Sequence, residues 1–136
     1  MGDWRDNLVE SDAGMAAILA DTKRIAVLGI KTEAQRGQPA FYVPEYMAEA
    51  GYDIVPVPVF YPDAVEILGE PVYRTLAEIP EPVDMVNIFR RPRDIPPHLP
   101  DILASKPRVV WMQQGISHEA VAEALARAGI KVVQDR

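Results

Sequence analysis

The sequence predicts an α/β protein, a single domain in which a doubly wound, mainly parallel five-stranded sheet carries helices on both faces. Short, uninterrupted apolar runs alternate with helical patterns along the chain. Parallel strands that are buried on both faces read as such continuous apolar runs, and the alternation with helices favours parallel connections. A length of 136 residues allows one domain with a substantial core and is too short for two.

The N-terminal part predicts a helix followed by the first strand. Apolar residues fall at helical spacing from Leu8 to Ala20, with Ser11 as a possible cap. The run RIAVLG then reads as a short strand that ends at a glycine. We therefore divide residues 1–136 into a helical extension, 1–22, and a core, 23–136.

The next helix and strand both contain prolines. PAFYVPEYMAEAGY predicts a helix with Pro39 in its first turn and Gly51 as its C-cap. Pro44 fits a helix interior poorly, so we expect the regular helix to begin near Val43. DIVPVPVF predicts the second strand, and its prolines indicate an edge strand or one that ends early.

The second half repeats the alternation after a long connection, in which VYRTL is expected to be extended and LAEI to form a helical turn. Three further strands are predicted over VDMVNIF, RVVWMQ and IKVVQD. The helices between them are predicted over PPHLPDILASKP and SHEAVAEALARAG, the second with Ser117 as N-cap and Gly129 as C-cap. Ligands of such sheets bind at the carboxyl ends of the strands, which makes those ends the candidate site.

Composition narrows the possible functions. A net charge of −6 argues weakly against a general binder of nucleic acid or of anionic membranes. The sequence has no cysteine, which excludes disulfides, thiolate catalysis and cysteine zinc sites. We see no signal peptide, and no apolar run approaches the roughly 20 residues that cross a bilayer. A cytoplasmic protein is expected.

The loop after the first strand resembles a disrupted dinucleotide-binding loop. Such loops need G-x-G-x-x-G directly before a helix, whereas here only Gly29 is in place and Gly37 follows eight residues later. The loop is longer and carries Lys31 and Arg36. Backbone amides and these cations could hold phosphates, although a solvated loop is an equally open interpretation.

The end of the second strand makes NAD less favourable. NAD-binding sheets place an acid there for the ribose hydroxyls, but this strand ends in PVFYP and Asp63 follows only later. Phe60 and Tyr61 could pack on an adenine ring or simply cover the edge of the sheet.

The third and fourth strands end in cationic and amide side chains. FRRPRD holds three arginines within four positions, which favours binding of phosphate or carboxylate; pairing with Asp94 or Glu81 is the alternative. Gln113 and Gln114 offer neutral donors and acceptors, and Gly115 allows close approach to the backbone.

Catalytic groups are scarce in the sequence. His98 and His118 lie far apart, lack metal-ligand spacing, and read as surface residues. Ser117 suits a helix cap better than a nucleophile because GIS lacks the G-x-S-x-G elbow. The sequence therefore indicates a site that holds an anionic ligand without an evident catalytic group.

Together these motifs resemble the small CoA-binding protein family, which is similar to the CoA-binding domain of the succinyl-CoA synthetase alpha subunit. The segments GEPVYRTLAEIPEPVD and VVWMQQGI carry much of this resemblance, which covers residues 20–136. It implies a Rossmann-like fold with CoA or an acyl-CoA as ligand. The implied site residues are Gly29, Ile30, Lys31, Thr32, Arg36, Gly37, Gln38, Pro39, Ala40, Pro58, Val59, Phe60, Tyr61, Phe89, Arg90, Arg91, Gln113, Gln114 and Gly115.

Three hypotheses follow. The leading one is a CoA-binding protein without catalysis of its own, which binds neither nucleic acid nor membrane and could form homo-oligomers. An oxidoreductase or redox sensor that uses NADP(H) or NAD(H) is the second, because a 2′-phosphate also requires cations. An interaction subunit of an acyl-CoA synthetase-like complex is the third.

Overall fold

A computed structural model describes residues 3–136; residues 1 and 2 of the predicted extension lie outside this range. In chain order, its helices and strands are α1 Asp12–Asp21, β1 Arg24–Leu28, α2 Pro39–Glu49, β2 Asp53–Val57, β3 Glu66–Ile67, β4 Glu70–Pro71, β5 Met85–Ile88, α3 Leu99–Ser105, β6 Val109–Met112, α4 Glu119–Arg127 and β7 Lys131–Val133. Short 3-10 turns cover Trp4–Asn7, Glu33–Gln35, Leu76–Glu78, Pro92–Asp94 and Pro96–His98.

The main sheet confirms the predicted fold class. Its five strands are all parallel and lie in the order β2-β1-β5-β6-β7. The chain moves outward from β1 to β2 and then crosses to the opposite side of β1, where β5 pairs with it. The switch point in strand order therefore lies between β1 and β5, where doubly wound sheets bind ligands.

Alternate side chains of each strand point to opposite faces of the sheet and form two apolar layers. One layer packs against Ile102 of α3 and Leu125 of α4. The other packs against Ile18 of α1 and Phe41 of α2. Each fully buried aliphatic or aromatic side chain of this kind contributes about 1.5–3 kcal/mol through removal of apolar surface from water.

Helix α2 begins at Pro39, so the expectation that it begins near Val43 was wrong. Pro44 lacks the N–H that would bond to the carbonyl of Ala40. That carbonyl instead accepts a hydrogen bond from the backbone N–H of Lys31, at 3.1 Å. The proline is therefore tolerated because the preceding loop satisfies the carbonyl group that it leaves free.

Strand β2 lies at the edge of the sheet and ends at Val57, as its prolines indicated. The connection after it differs from the prediction, because the short antiparallel strands β3 and β4 form a hairpin that the sequence did not reveal. The predicted turn at LAEI is present as the 3-10 turn Leu76–Glu78.

Helix ends also differ from prediction. Ser11 is the N-cap of α1, as predicted, but the helix begins only at Asp12, and Leu8 instead forms a β-bridge to Val132 of β7. The N-cap of α4 is His118 rather than Ser117, because His118 has the extended backbone of a cap and its Nδ1 accepts from Val121 N at 3.2 Å. α3 begins only at Leu99, since the prolines before it form 3-10 turns.

Candidate functional site

Gly29 fixes the geometry at the end of β1. Its φ is +90°, and its N–H donates to the Val57 carbonyl at 2.9 Å. A Cβ at this position would lie 2.3 Å from the carbonyl oxygen of Phe89. Glycine is required here both by its backbone conformation and by the close approach of the end of β5.

A groove of about 830 Å³ opens beside this point and is called the switch-point groove. It lies between the first turn of α2, the loop after β1 and the ends of β5, β6 and β7. Ten of the predicted residues line it: Lys31, Gln38, Pro39, Ala40, Phe89, Arg90, Arg91, Gln113, Gln114 and Gly115. Tyr42, Val43, Pro92, Ile116 and Arg136 complete its lining.

The loop after β1 is held by short-range contacts that set the position of Lys31. Its backbone N–H bonds to Ala40, and its ammonium group donates to the side chain of Gln38, the N-cap of α2. Glu33 in the same loop accepts from the backbone N–H of Leu68 at 2.8 Å, which ties the loop to the hairpin. Lys31 is therefore held at the N-terminus of α2, where the helix also favours anions.

Thr32, Arg36 and Gly37 do not line the groove. Thr32 forms a capping box with Gln35 for the 3-10 turn of the loop. The Arg36 guanidinium lies 5.7 Å from the centre of the Phe41 ring and 3.9 Å from a Glu45 carboxylate oxygen. Gly29 and Ile30 are also absent from the lining, and Ile30 is a buried core residue.

Pro58 and Val59 line a separate recess of about 480 Å³ on the other side of β1, called the side recess. Its remaining lining residues are Leu28, Arg74, Thr75, Ala77, Pro97, His98 and Asp101. Phe60 is 63% exposed, and its ring meets that of Tyr61 edge to face at 6.4 Å. The predicted residues that line a cavity therefore fall into two parts, ten in the switch-point groove and Pro58 and Val59 in the side recess.

Arg90 connects the two parts. Its guanidinium lies 5.6 Å from the centre of the Phe60 ring, and its Nε donates to Nε2 of His98 at 3.3 Å. Arg91 pairs instead with Asp94 at 2.7 Å. Among residues 3–136, Arg90 forms no ion pair with a carboxylate, so its charge is available to a ligand.

His98 is partly exposed and lies beside Arg90, a contact that its interpretation as a surface residue did not anticipate. Burial and the adjacent Arg90 guanidinium both lower the pKa of the His98 imidazole, against the opposing effect of Asp101 and Asp94. The neutral ring accepts the hydrogen bond from Arg90. Sequence spacing could not reveal this pair because it depends on the turns between the two residues.

Arg74 is a structural residue of the site that the sequence analysis did not identify. Its guanidinium donates to the carbonyls of Phe60, Tyr61, Pro62 and Ala64 at 3.3, 3.0, 3.1 and 2.8 Å. Tyr61 has a φ of +64°, which is unfavourable for a residue with a side chain. Arg74 thus fixes the loop after β2 in a conformation that it would otherwise adopt poorly.

Asn87 is a second residue that the sequence analysis missed. It lies in β5 with 1% of its surface exposed, and its Oδ1 accepts from Nε2 of Gln113. Its Nδ2 has no hydrogen-bond partner among the described residues. Leaving such a donor buried and unpaired costs about 1–3 kcal/mol.

The end of β7 adds a further cation to the groove. Asp135, with a φ of +56°, accepts from the backbone N–H of Gly115 at 2.5 Å. The next residue, Arg136, then lines the switch-point groove. The sequence signal for Arg136 in the site was its position after the last predicted strand, at the end where ligands bind.

Within the part of the chain that the structure describes, no cluster of three or more histidine or acidic side chains could hold a metal ion. In the same range, none of the helices has the length and apolar character needed to span a bilayer.

The comparison with protein families agrees with this geometry. The family model described as "CoA binding domain" matches residues 23–136, which is most of the chain. The chain belongs to this CoA-binding domain family. The resemblance inferred from the sequence motifs is thereby confirmed.

Similar proteins cover nearly the whole chain. The uncharacterized protein YneT of Bacillus subtilis is 36% identical over 125 residues, 92% of this chain and 89% of that protein. The solved structure of the protein cell-free ID.343 from Thermus thermophilus is 41% identical with a TM-score of 0.84, and the match covers 93% of this chain and 92% of that one. A hypothetical protein from Pyrococcus horikoshii is 28% identical with a TM-score of 0.83, over 93% and 86% of the two chains.

Proposed function

We propose that this protein binds CoA or an acyl-CoA across the switch-point groove and the side recess, and that it has no catalytic activity of its own. The observation that carries the proposal is the charge of the groove. Lys31, Arg90, Arg91 and Arg136 line it, and none of its lining residues is an aspartate or glutamate. Of these four cations, Arg91 alone pairs with a carboxylate of the described residues, that of Asp94. In a chain with a net charge of −6, this concentration of cations marks a local anion site.

The phosphates of CoA suit this part of the site. Lys31 lies beside the first turn of α2, where Pro39 has no N–H and the N–H groups of Phe41 and Tyr42 donate to the Gln38 carbonyl, so the backbone there offers a ligand the N–H of Ala40. Helix N-termini and planar guanidinium groups both bind phosphate oxygens well. Arg90 and Lys31 are therefore the residues that we expect to carry most of the phosphate affinity.

The adenine ring has a suitable surface at the end of β2. Phe60 is exposed and already has a guanidinium, that of Arg90, against its ring. Pro58 and Val59 add apolar surface in the side recess. A purine that stacks on Phe60 would bury this aromatic surface while keeping its phosphates near Arg90.

The nicotinamide alternative has less support. β2 is followed by Pro58, Val59, Phe60 and Tyr61, and these positions hold no carboxylate for ribose hydroxyls. The cations still leave a 2′-phosphate possible, so NADPH is the competing ligand that a binding experiment must include.

A binding role without catalysis fits the hydrogen bonding of the nearby acids. Asp101 accepts from the backbone N–H groups of Leu76 and Ala77, Asp94 pairs with Arg91, and Asp135 accepts from Gly115. The three carboxylates are therefore engaged in contacts that hold the fold together. The proposal also includes a protein partner that completes an active site. It further includes a cytoplasmic location, which the lack of cysteine suggests.

Calorimetric titration with CoA, dephospho-CoA, acetyl-CoA and NADPH in one buffer tests the proposal. We expect saturable binding of CoA at micromolar affinity and no binding of NADPH. Arg90→Gln should weaken CoA roughly tenfold or more, since hydrogen bonds to charged groups contribute about 1.5–3 kcal/mol. Arg93→Gln is the matched control, because Arg93 is an exposed neighbour that does not line the groove.

The ligand series also identifies which phosphate is bound. If Arg90 or Lys31 contacts the 3′-phosphate, replacing it should weaken CoA more than dephospho-CoA. An equal loss for both ligands would assign these side chains to the pyrophosphate. Binding of NADPH without CoA would refute the proposed function.

A further inference from the structure

Asn87, which is buried in β5, and Gln113, which lines the switch-point groove, form a pair of neutral amide side chains. Asn87 is held in the middle of the sheet, in register with Val27 of β1 and Trp111 of β6. Its side-chain oxygen accepts from Gln113, and Gln113 lines the groove. Asn87 therefore fixes the side chain of a residue that a ligand in the groove would meet.

Stability alone does not explain an amide side chain at position 87. The other three residues of β5, Met85, Val86 and Ile88, are buried and apolar. Thr22, the other buried polar side chain in the described range, is satisfied by donating to the Ile18 carbonyl at 2.7 Å. Asn87, in contrast, keeps an unpaired Nδ2 in an apolar layer. An aliphatic residue would avoid this loss, which indicates that the amide serves Gln113.

We propose that Asn87 is a positioning residue, and that it holds the Gln113 carboxamide to hydrogen-bond an amide group in the uncharged arm of the ligand. This inference rests on the proposed function, because CoA joins its phosphates to a pantetheine chain that contains amides. The cations of the groove come from the ends of β1, β5 and β7, whereas the end of β6 offers Gln113, Gln114, Gly115 and Ile116, none of which is charged. Neutral ligand groups are expected there.

Asn87 can support Gln113 in either orientation of the carboxamide. With Nε2 of Gln113 bonded to Oδ1 of Asn87, as in the structure, Oε1 of Gln113 remains free to accept from an amide N–H. After a half-turn of both carboxamides, Nδ2 of Asn87 would take the place of Oδ1 and donate to Oε1 of Gln113, and Nε2 of Gln113 could donate to an amide carbonyl. The pair thus matches both hydrogen-bonding groups of an amide.

Titration of the full chain with CoA and with adenosine 3′,5′-bisphosphate separates this contact from phosphate binding, because the bisphosphate lacks the pantetheine arm. We expect Gln113→Met to weaken CoA roughly threefold to tenfold, the loss of one neutral hydrogen bond, and to leave the bisphosphate unchanged. Gln114→Met, at the exposed neighbouring position, should weaken CoA less.

A double-mutant cycle tests the positioning role. Asn87→Leu should weaken the binding of CoA and leave that of the bisphosphate unchanged, as Gln113→Met does. The double variant of Asn87→Leu with Gln113→Met should lose no more affinity for CoA than either single variant. Circular dichroism of each variant verifies folding, and Gln113→Met alone decides the ligand contact if Asn87→Leu fails to fold.

Equal losses for CoA and the bisphosphate, unchanged CoA affinity in Gln113→Met, or additive losses in the cycle would overturn the inference while the proposed function stands. If the unaltered protein binds neither ligand, the proposed function itself fails and the inference fails with it.

Discussion

Gly29 shows how one residue determines the geometry of the site. Gly29→Ala places a Cβ against the Phe89 carbonyl at a φ of +90°, and the ends of β1 and β5 would have to separate. We expect the free energy of unfolding to fall by at least about 1–2 kcal/mol, as measured by urea denaturation. Gly37→Ala is the control, because its Cβ would meet no atom within 4 Å and its stability should change little. Equal stability of the two variants would contradict this role of Gly29.

His98 links stability to pH. Its pKa is lowered in the folded state below the ordinary value of 6.5, by burial and by Arg90. The unfolded chain therefore binds a proton first as the pH falls, so this contribution to stability is complete above about 6.5 and decreases from there down to the folded pKa. Chemical denaturation of the ligand-free protein across this window should show a shallower decrease for His98→Gln. An unchanged slope would contradict this role of His98.

At the scale of elements, the loop after β2 depends on an arginine from the segment that follows β4. Arg74→Ala removes the donors to four loop carbonyls, including that of Tyr61 with its positive φ. We expect roughly 1–3 kcal/mol of lost stability and faster chymotrypsin cleavage next to Phe60 and Tyr61. Arg108→Ala, which removes only an exposed ion pair with Asp21, should cost at most about 1 kcal/mol and leave that cleavage unchanged. Equal rates of chymotrypsin cleavage in the two variants would show that Arg74 does not fix the loop.

The same scale explains why the site forms at this edge. Pro44 interrupts the hydrogen bonding of α2, and the backbone of Lys31 takes the free carbonyl of Ala40. This hydrogen bond joins the loop after β1 to α2 and holds Lys31 beside the first turn of the helix. A proline that looked unfavourable in the sequence thus contributes to the placement of a candidate ligand-binding cation.

At the scale of the whole molecule, ligand binding should raise the free energy of unfolding. If CoA binds only the folded state, a free concentration 100 times its dissociation constant raises the free energy of unfolding by about 2.7 kcal/mol. Thermal unfolding with and without CoA measures this gain. The gain should shrink at high salt because cations of the groove are screened, and it should be smaller for Arg90→Gln at the same CoA concentration. A gain that is independent of both salt and Arg90 would contradict phosphate binding in the groove.

The sequence by itself determined the fold class and the family, and it predicted the general location of the candidate site. Apolar runs such as RIAVLG and VDMVNIF are local signals, since a strand buried on both faces needs apolar residues at successive positions. The family resemblance added the ligand class. Because the carboxyl ends of parallel strands meet at one edge, Lys31, the arginines after β5 and Gln113 could be grouped before their distances were known.

Tertiary structure alone decided which residues act together. The pairing of Arg90 with His98, the contacts of Arg74 with the loop after β2, and the Asn87–Gln113 pair all join residues brought together by turns or neighbouring strands. The hairpin β3–β4 and the regular course of α2 through Pro44 were likewise hidden, because they depend on hydrogen bonds from other parts of the chain. Periodicity reports which faces are buried, whereas hydrogen-bond partners and charge neighbours are set only when the strands take their places in the sheet.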